Sequence, residues 1–479
     1  MISSNPSSSR FAAAARIWLW VLLLSQPILD AGSYWAAELG LSSMLTLGVR
    51  MLVLAATVAL AFLLSEKKRV YLITVGVLAA FWCAHVLACL RVGYADPMTD
   101  LTNFVRVAQL PIYTLALITL LRAAGDFPSL LEKTLAVSLW IIAGISVLAV
   151  LTGTNNPTYP KFNVGVCAWF ALPNSQSGIY GVLTLVTVLS ALRERRPWIA
   201  SLRCVVGFLL LFLLGTRLAY AEIFAITLVF IVAMILTKTL DKRLLCVVAA
   251  LAILSAALYH QSPMFQNRQT LSEVTDQQQE DADETIEQTP PPPIEYDWLP
   301  DAEEPIDMLY REYQPLMIHR FGLEPVKAAF GYTDDVEKLG DLRLCKILFC
   351  RMAMDELPLT SRLFGFELAT TLYEDGIFDV ENDFHGMYFL YGIVGLALTI
   401  VYLGYFAVRA LLRIVREPKQ YLTLPVCAYS TSALILVINA YFTASVLRRP
   451  NASVYLSVAL AVLWLLTEKN HAPDGKEQA

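Results

Sequence analysis

Apolar residues run along this chain in stretches of about 20, interrupted by short polar or basic knots. That is the length a helix needs to cross a hydrocarbon core. Twelve stretches are predicted as spans, at roughly 16–34, 43–64, 70–92, 104–122, 132–152, 176–192, 199–215, 218–237, 243–260, 386–408, 421–442 and 452–468. One long interruption, 261–385, is about 125 residues. The predicted architecture is all-α: a polytopic membrane helix bundle of about 12 transmembrane helices with one large extracytoplasmic loop. Residues 1–260 supply the first nine helices, 261–385 the loop, and 386–479 the last three helices and a tail.

The loop divides by composition. Between Gln269 and Tyr310 there are thirteen Asp and Glu, no Lys or Arg, and the run Pro290-Pro291-Pro292-Pro293. Such a stretch cannot bury a core, so 269–310 is expected to be extended or disordered. From 311 to 385 helical character returns, with apolar positions at Leu342, Cys345, Ile347, Leu348 and Met352, and this half is expected to face the chemistry. A second outer segment, 153–175, carries turn signals at Asn155-Asn156-Pro157 and Pro160.

Composition adds that 57% of the chain is hydrophobic and 16% charged, with mean hydropathy +0.56. Soluble chains carry about 25% charged residues, so a soluble enzyme is excluded. Basic knots set the orientation. Lys67-Lys68-Arg69, Arg122 with Lys133, Arg193 to Arg196, Lys238 with Lys242-Arg243, and Arg409 to Lys419 all fall on one side when both termini are cytoplasmic. The expected location is a cell membrane, multi-pass, with the large loop outside. No small-residue cleavage site follows Ile17 to Leu29, so that stretch is predicted as a first helix rather than a removed signal.

Eight cysteines are scattered without CxxC spacing, so neither a metal site nor a redox site is expected, and Cys345 and Cys350 are expected to be free thiols. No Walker or dinucleotide glycine pattern, internal repeat or basic nucleic-acid patch is present. No cofactor and no nucleic-acid partner are expected.

The candidate chemistry lies in polar groups placed at the outer face, where ionisable side chains beside the membrane call for a partner or a role. Gly215-Thr216-Arg217 forms a tight turn between two spans, so Arg217 must project from the bundle end or snorkel to the interface. Asp341-Leu342-Arg343 opens the helical half of the loop, with Arg351 two turns on. Their guanidinium forks suit a diphosphate, and an ordinary surface salt bridge is the alternative. Glu381-Asn382-Asp383-Phe384-His385 stands where the loop re-enters the membrane. Glu381, Asp383 and His385 are candidates for a general base. A helix N-terminus with acidic residues facing its dipole accounts for the two carboxylates and leaves His385 without a role. Arg448-Arg449 on the last outer turn break the basic-inside pattern.

Taken in order, these landmarks resemble the O-antigen ligase family, whose members share their fold with O-antigen polymerases. The family's large outer loop ends in His-Asn, about nine variable residues, Gly, two residues and Gly before a span. Here Glu381-Asn382 precedes Gly392-Ile393-Val394-Gly395 at that spacing, so Glu381 stands where many members carry histidine. The Glu-x-Asp form with Tyr391-Gly392 is similar to the branch common in Gram-positive bacteria. Gln26-Pro27-Ile28-Leu29-Asp30, Gly165 through Asn174, the Gly215-Thr216-Arg217 turn, and Arg343 ahead of Leu363-Phe364-Gly365-Phe366 fit the same branch.

The resemblance implies a metal-independent glycosyltransferase that moves a glycan from a polyprenyl diphosphate carrier to an acceptor hydroxyl outside the membrane. Arg217, Arg343 and Arg351 would bind the diphosphate, and Glu381, Asp383 or His385 would take the acceptor's proton. The partners would be the lipid-linked donor, a glycan, lipid or wall acceptor, and membrane lipid. A repeat-unit polymerase of the same fold is a second reading. A lipid-linked oligosaccharide flippase is a third; it predicts mid-span charges and two-fold repetition, whereas only isolated candidates such as Arg106 and Glu222 occur. A non-enzymatic scaffold that recruits a partner through the acidic loop is the fourth.

Overall fold

The structure is a computed structural model that describes residues 6–239, 241–272, 304–374 and 376–468. Helices occur at all twelve predicted spans: α1 (Pro6–Glu38), α2 (Ser43–Leu64), α3 (Lys68–Leu90), α4 (Pro97–Ala124), α5 (Phe127–Leu151), α6 (Pro173–Ala191), α7 (Pro197–Leu214), α8 (Arg217–Thr237), α9 (Lys242–Ala257), α10 (Asp383–Arg416), α11 (Leu424–Phe442) and α12 (Pro450–Leu466). Among the described residues, nine helices are long and apolar enough to cross a membrane. The protein is thus an all-α, multi-pass membrane protein. The other three are α6, α9 and α12. Helix α9 has 16 residues and α12 has 17. Helix α6 opens on Asn174-Ser175-Gln176-Ser177 and carries Thr184, Thr187 and Ser190 further on.

Local chemistry accounts for the helix ends. Proline stands in the first turn of α6, α7, α11 and α12, where its missing N–H costs nothing and its fixed φ suits the helix. Thr216 caps α8 by accepting from Ala219 N, and Asp241 caps α9 by accepting from Arg243 N and Leu244 N.

The chain forms two compact units, one of 1–79, 105–266 and 400–479 and the other of 80–104 and 267–399. In the first, α6 and α12 are buried over nearly every residue, which is how their polar faces escape lipid. Asp30 ties four helices of this unit. Its carboxylate receives Arg50 Nη2 at 2.5 Å, Gln176 Nε2 at 3.2 Å and Asn451 Nδ2 at 3.1 Å. The buried Glu222 accepts from Asn439 Nδ2 at 2.8 Å.

The second unit holds the end of α3, the start of α4, the described part of the large loop and the start of α10. Short helices at Pro305–Tyr313, Pro315–Phe321, Leu323–Phe330 and Val336–Leu339 lead to the longer Leu342–Glu356. A two-stranded antiparallel ribbon pairs Leu372 with Ile377. Buried Lys327 reaches Asp307 at 2.8 Å, and Tyr310 donates to Thr333 O at 2.9 Å. The expectation for 269–310 needs correction at both edges. Residues 263–272 are helical, and Glu304 begins a capping box with Asp307 whose helix buries Met308, Leu309 and Tyr310. Those apolar residues give the end of the acidic stretch something to bury. Residues 273–303 lie outside the described residues. Cys345 and Cys350 are buried thiols, and neither is in a disulfide among the described residues.

Candidate active site

The residues before α10 are fixed by an asparagine. Asn382 Oδ1 accepts from Phe384 N at 2.9 Å and His385 N at 3.0 Å, capping the helix. The acidic residues on either side are therefore not needed for capping. Glu381 points away to the Leu342–Glu356 helix, where Lys346 Nζ lies 2.7 Å from Oε1 and Arg343 Nε 3.3 Å from Oε2. That helix is itself held at its start by Asp341, which accepts from Arg343 N and Leu344 N. Partial burial pushes the Glu381 carboxyl up, but the Lys346 and Arg343 charges outweigh it and hold the group below its ordinary value of 4.5. Its side chain remains 39% exposed.

The other predicted residues of this unit fall in different settings. Asp383 is fully buried at the first helical position. His385 is exposed, one turn into the helix. Arg351 is also exposed and is not among the Glu381 partners. Helix phase explains this. At about 100° per residue, Lys346 and Arg343 lie about 60° apart, whereas Arg351 is about 140° from Lys346. Lys346 was missed by the sequence reading, although its i,i+3 spacing from Arg343 was visible.

Two glycines set the entry of α10. The helix breaks at Gly392, with φ 67° and ψ −173°. A β-carbon there would overlap the Leu363 carbonyl, and one on Gly365, at φ +87°, would overlap the Leu390 carbonyl. The two backbones pass in direct contact, and Phe366 N donates to Phe389 O at 3.1 Å. Only glycine at both crossings allows this approach.

Beside them lies a polar centre that sequence reasoning overlooked. His85 Nδ1 is 2.7 Å from Phe364 O and Nε2 is 2.8 Å from Asp100 Oδ2, with both side chains fully buried. Tyr94 donates to the same Asp100 oxygen at 2.9 Å, and Leu368 N to the other at 3.2 Å. Glu367 accepts from Ala95 N and Asp96 N, fastening the α3–α4 connection. Cys89 Sγ is 3.5 Å from His85 Nε2, so His85, Cys89 and Asp100 form a group with metal-ligand atoms. The spacing fits hydrogen bonding better. Two ligands about 2.0–2.1 Å from a tetrahedral ion stand about 3.3 Å apart, wider than the His85–Asp100 separation. A histidine inside an apolar span was the available signal.

In the first unit, Arg217 is exposed at the first position of α8. The turn is braced: Gly215 has φ +59°, and a β-carbon there would lie 2.6 Å from Pro263 Cβ. The 153–172 segment closes over it, with Val166 N donating to Leu213 O at 2.9 Å and Tyr159 Oη to Gly215 O at 3.2 Å. Asn155 and Asn156 hold that segment through Gly165 O and Phe170 O. Arg217 thus projects from a rigid turn rather than a loose loop.

Residues 13–470 match the family model described as O-antigen ligase like membrane protein. The chain belongs to that family. No curated protein matches it. Membership places this O-antigen ligase-like protein among membrane proteins of polysaccharide biosynthesis, in a group of glycosyltransferase-like ligases and polymerases.

Proposed function

We propose that this O-antigen ligase-like protein transfers a glycan from a polyprenyl diphosphate carrier to an acceptor hydroxyl on the outer face of the membrane. The observation that carries the reading is the Glu381 carboxylate held between Lys346 and Arg343, partly open to solvent, immediately before the re-entering helix. In this reading Glu381 takes the acceptor's proton. The acceptor oxygen bonds to the anomeric carbon, the bond from that carbon to the diphosphate breaks, and the carrier leaves with the electron pair.

Negative charge then accumulates on the departing diphosphate, where aimed cationic donors act most strongly. Arg343 and Lys346 are the cations nearest the base. Arg217 enters through the family landmarks and through its exposure on a braced turn; Arg351 enters as an outlying member of the same helix. A bound diphosphate competes with Glu381 for Arg343 and Lys346. Donor binding would then relax the pairing that keeps the carboxyl acidic and make it a better base. This removes a difficulty of the resting arrangement, in which a doubly paired carboxylate is a weak proton acceptor. The twelve-span topology with cytoplasmic termini and an external loop belongs to the same proposal, supported by the one-sided basic knots.

The test is glycan transfer by the full-length protein in liposomes, with a synthetic polyprenyl diphosphate donor. Glu381→Gln and Arg343→Gln are expected to lose transfer while the protein stays folded. Wild-type rates in both variants would remove the proposal.

A further inference from the structure

We propose that the first unit binds the phosphate headgroup of an anionic lipid at the end of the bundle remote from Arg217. This goes beyond glycan transfer and does not depend on it. A cavity of about 820 Å³ opens among the start of α5, the α6–α7 connection, the start of α11 and the end of α12. Its volume lies within the range of about 300–1,000 Å³ usual for small-molecule sites. Helix α7 starts beside it and ends at Leu214, just before Arg217. At about 1.5 Å per residue, the 18-residue helix separates the two by about 27 Å. The cavity and Arg217 therefore sit at opposite ends of one helix.

The charge around the cavity is unbalanced. Lys133, Arg193, Arg195, Arg196 and Arg203 line it together with Asp126, Glu132 and Glu194. Two pairs cancel, Arg193 with Glu132 at 3.3 Å and Arg203 with Glu194 at 3.1 Å. Lys133, Arg195 and Arg196, all exposed, then face Asp126 alone. The Arg203 Nε–H is buried without an acceptor, a donor that an anion in the cavity would satisfy.

The surroundings favour a lipid over a free phosphate. Pro128, Pro425 and Leu466 give the cavity an apolar wall, and Trp198, two residues after Arg196, is 65% exposed, as a headgroup-level anchor would be. Basic pockets between helices at the membrane surface are suited to such headgroups. The bland account is that these residues are only the basic knot that orients the chain. Lys67-Lys68-Arg69 is an equally basic knot that does not line this cavity, which makes it the control.

The experiment is native mass spectrometry of the full chain in detergent, titrated with phosphatidylglycerol and, separately, phosphatidylcholine. The wild type is expected to retain phosphatidylglycerol preferentially. Lys133→Gln/Arg195→Gln/Arg196→Gln is expected to weaken retention about a hundredfold, whereas Lys67→Gln/Lys68→Gln/Arg69→Gln leaves it near wild type. Thermal unfolding of both triple variants checks that they are folded, and Arg195→Lys/Arg196→Lys is expected to keep most binding. No preference between the two lipids, or equal losses in the two triple variants, would overturn the site. Displacement of the lipid by millimolar inorganic phosphate would overturn its assignment to a lipid.

Discussion

Lys346 and Glu381, 35 residues apart in the chain, are joined by a 2.7 Å ion pair at the foot of α10. Burial alone would raise the Glu381 carboxyl, and this pair with Arg343 reverses the effect. The sign has a consequence for pH. A carboxyl depressed on folding contributes stability that is complete above its unfolded value and lost as pH falls through the lower folded value. The side chains are partly exposed, so that contribution is about 0.2–1 kcal/mol. The larger effect falls on the base. Lys346→Gln is expected to move the acid limb of kcat/KM, which reports the free enzyme, upward, with little change in thermal stability. Lys346→Arg should restore the wild-type limb. A pH profile identical in wild type and Lys346→Gln would deny Lys346 any influence on the base.

The identity of the base follows from two substitutions at one position. Glu381→Gln removes the proton acceptor and is expected to lower kcat by about 10²–10⁴-fold. Glu381→His restores the residue that the family resemblance places there, and an imidazole titrates near 6.5 in model peptides. Partial activity with an acid limb moved into the range of about pH 6–7 is the expected outcome for Glu381→His. A base at His385 would instead leave Glu381→Gln active and put the loss of transfer in His385→Gln.

Helix phase separates the arginines. Arg343 points to Glu381, and Arg351 lies on another face of the same helix. Arg343→Gln is expected to reduce kcat by about 10²–10³-fold, the scale for losing one aimed donor to a developing anion. Arg351→Gln should cost less than about tenfold. Equal losses in steady-state assays would show that the diphosphate reaches both faces.

Much of this was legible because a membrane imposes length. Runs of about 20 apolar residues fall on helices, nine of which, among the described residues, are long and apolar enough to cross a membrane, and α10 starts within the Glu381 to His385 stretch. What escaped were relations that only packing sets. Lys346 lay three residues from Arg343 in plain sight, yet its importance depends on where Glu381 arrives from the chain's far side. Arg351 matched by residue type and missed by phase. His85 stands in an apolar span and Asp100 in the polar stretch before the next one, and they meet only because the α3–α4 connection folds back. Asn382 entered as the asparagine of the family's motif, although an asparagine before a helix is first a cap.

The His85–Asp100 pair predicts a structural cost. The Phe364 carbonyl accepts only, so Nδ1 carries a proton, and the 2.8 Å contact to Asp100 shares another. Removing one partner strands the other in a fully buried place. His85→Leu or Asp100→Leu is expected to destabilise by about 3–5 kcal/mol, the usual cost of breaking a buried pair. A double-mutant cycle should show strong coupling. Chelator treatment should leave thermal stability unchanged, and a chelator-induced loss would favour a metal held with Cys89 over hydrogen bonding.

The glycine crossing gives a sharper comparison, because two different penalties can be separated. Gly331 has φ +72° and nothing within 4 Å of a β-carbon, so Gly331→Ala incurs only the left-handed backbone cost of about 1 kcal/mol. Gly365 and Gly392 carry the same kind of φ and also lie against neighbouring backbone that has no rotamer to yield. Gly365→Ala and Gly392→Ala are therefore expected to add an overpacking cost of about 1–3 kcal/mol each. Gly392 lies in the helix that follows Glu381, so transfer is expected to fall along with stability. Thermal unfolding of the three variants in one detergent measures the difference. If Gly392→Ala proves no more harmful than Gly331→Ala, the two backbones do not touch, and the entry of α10 must be held by something other than the crossing.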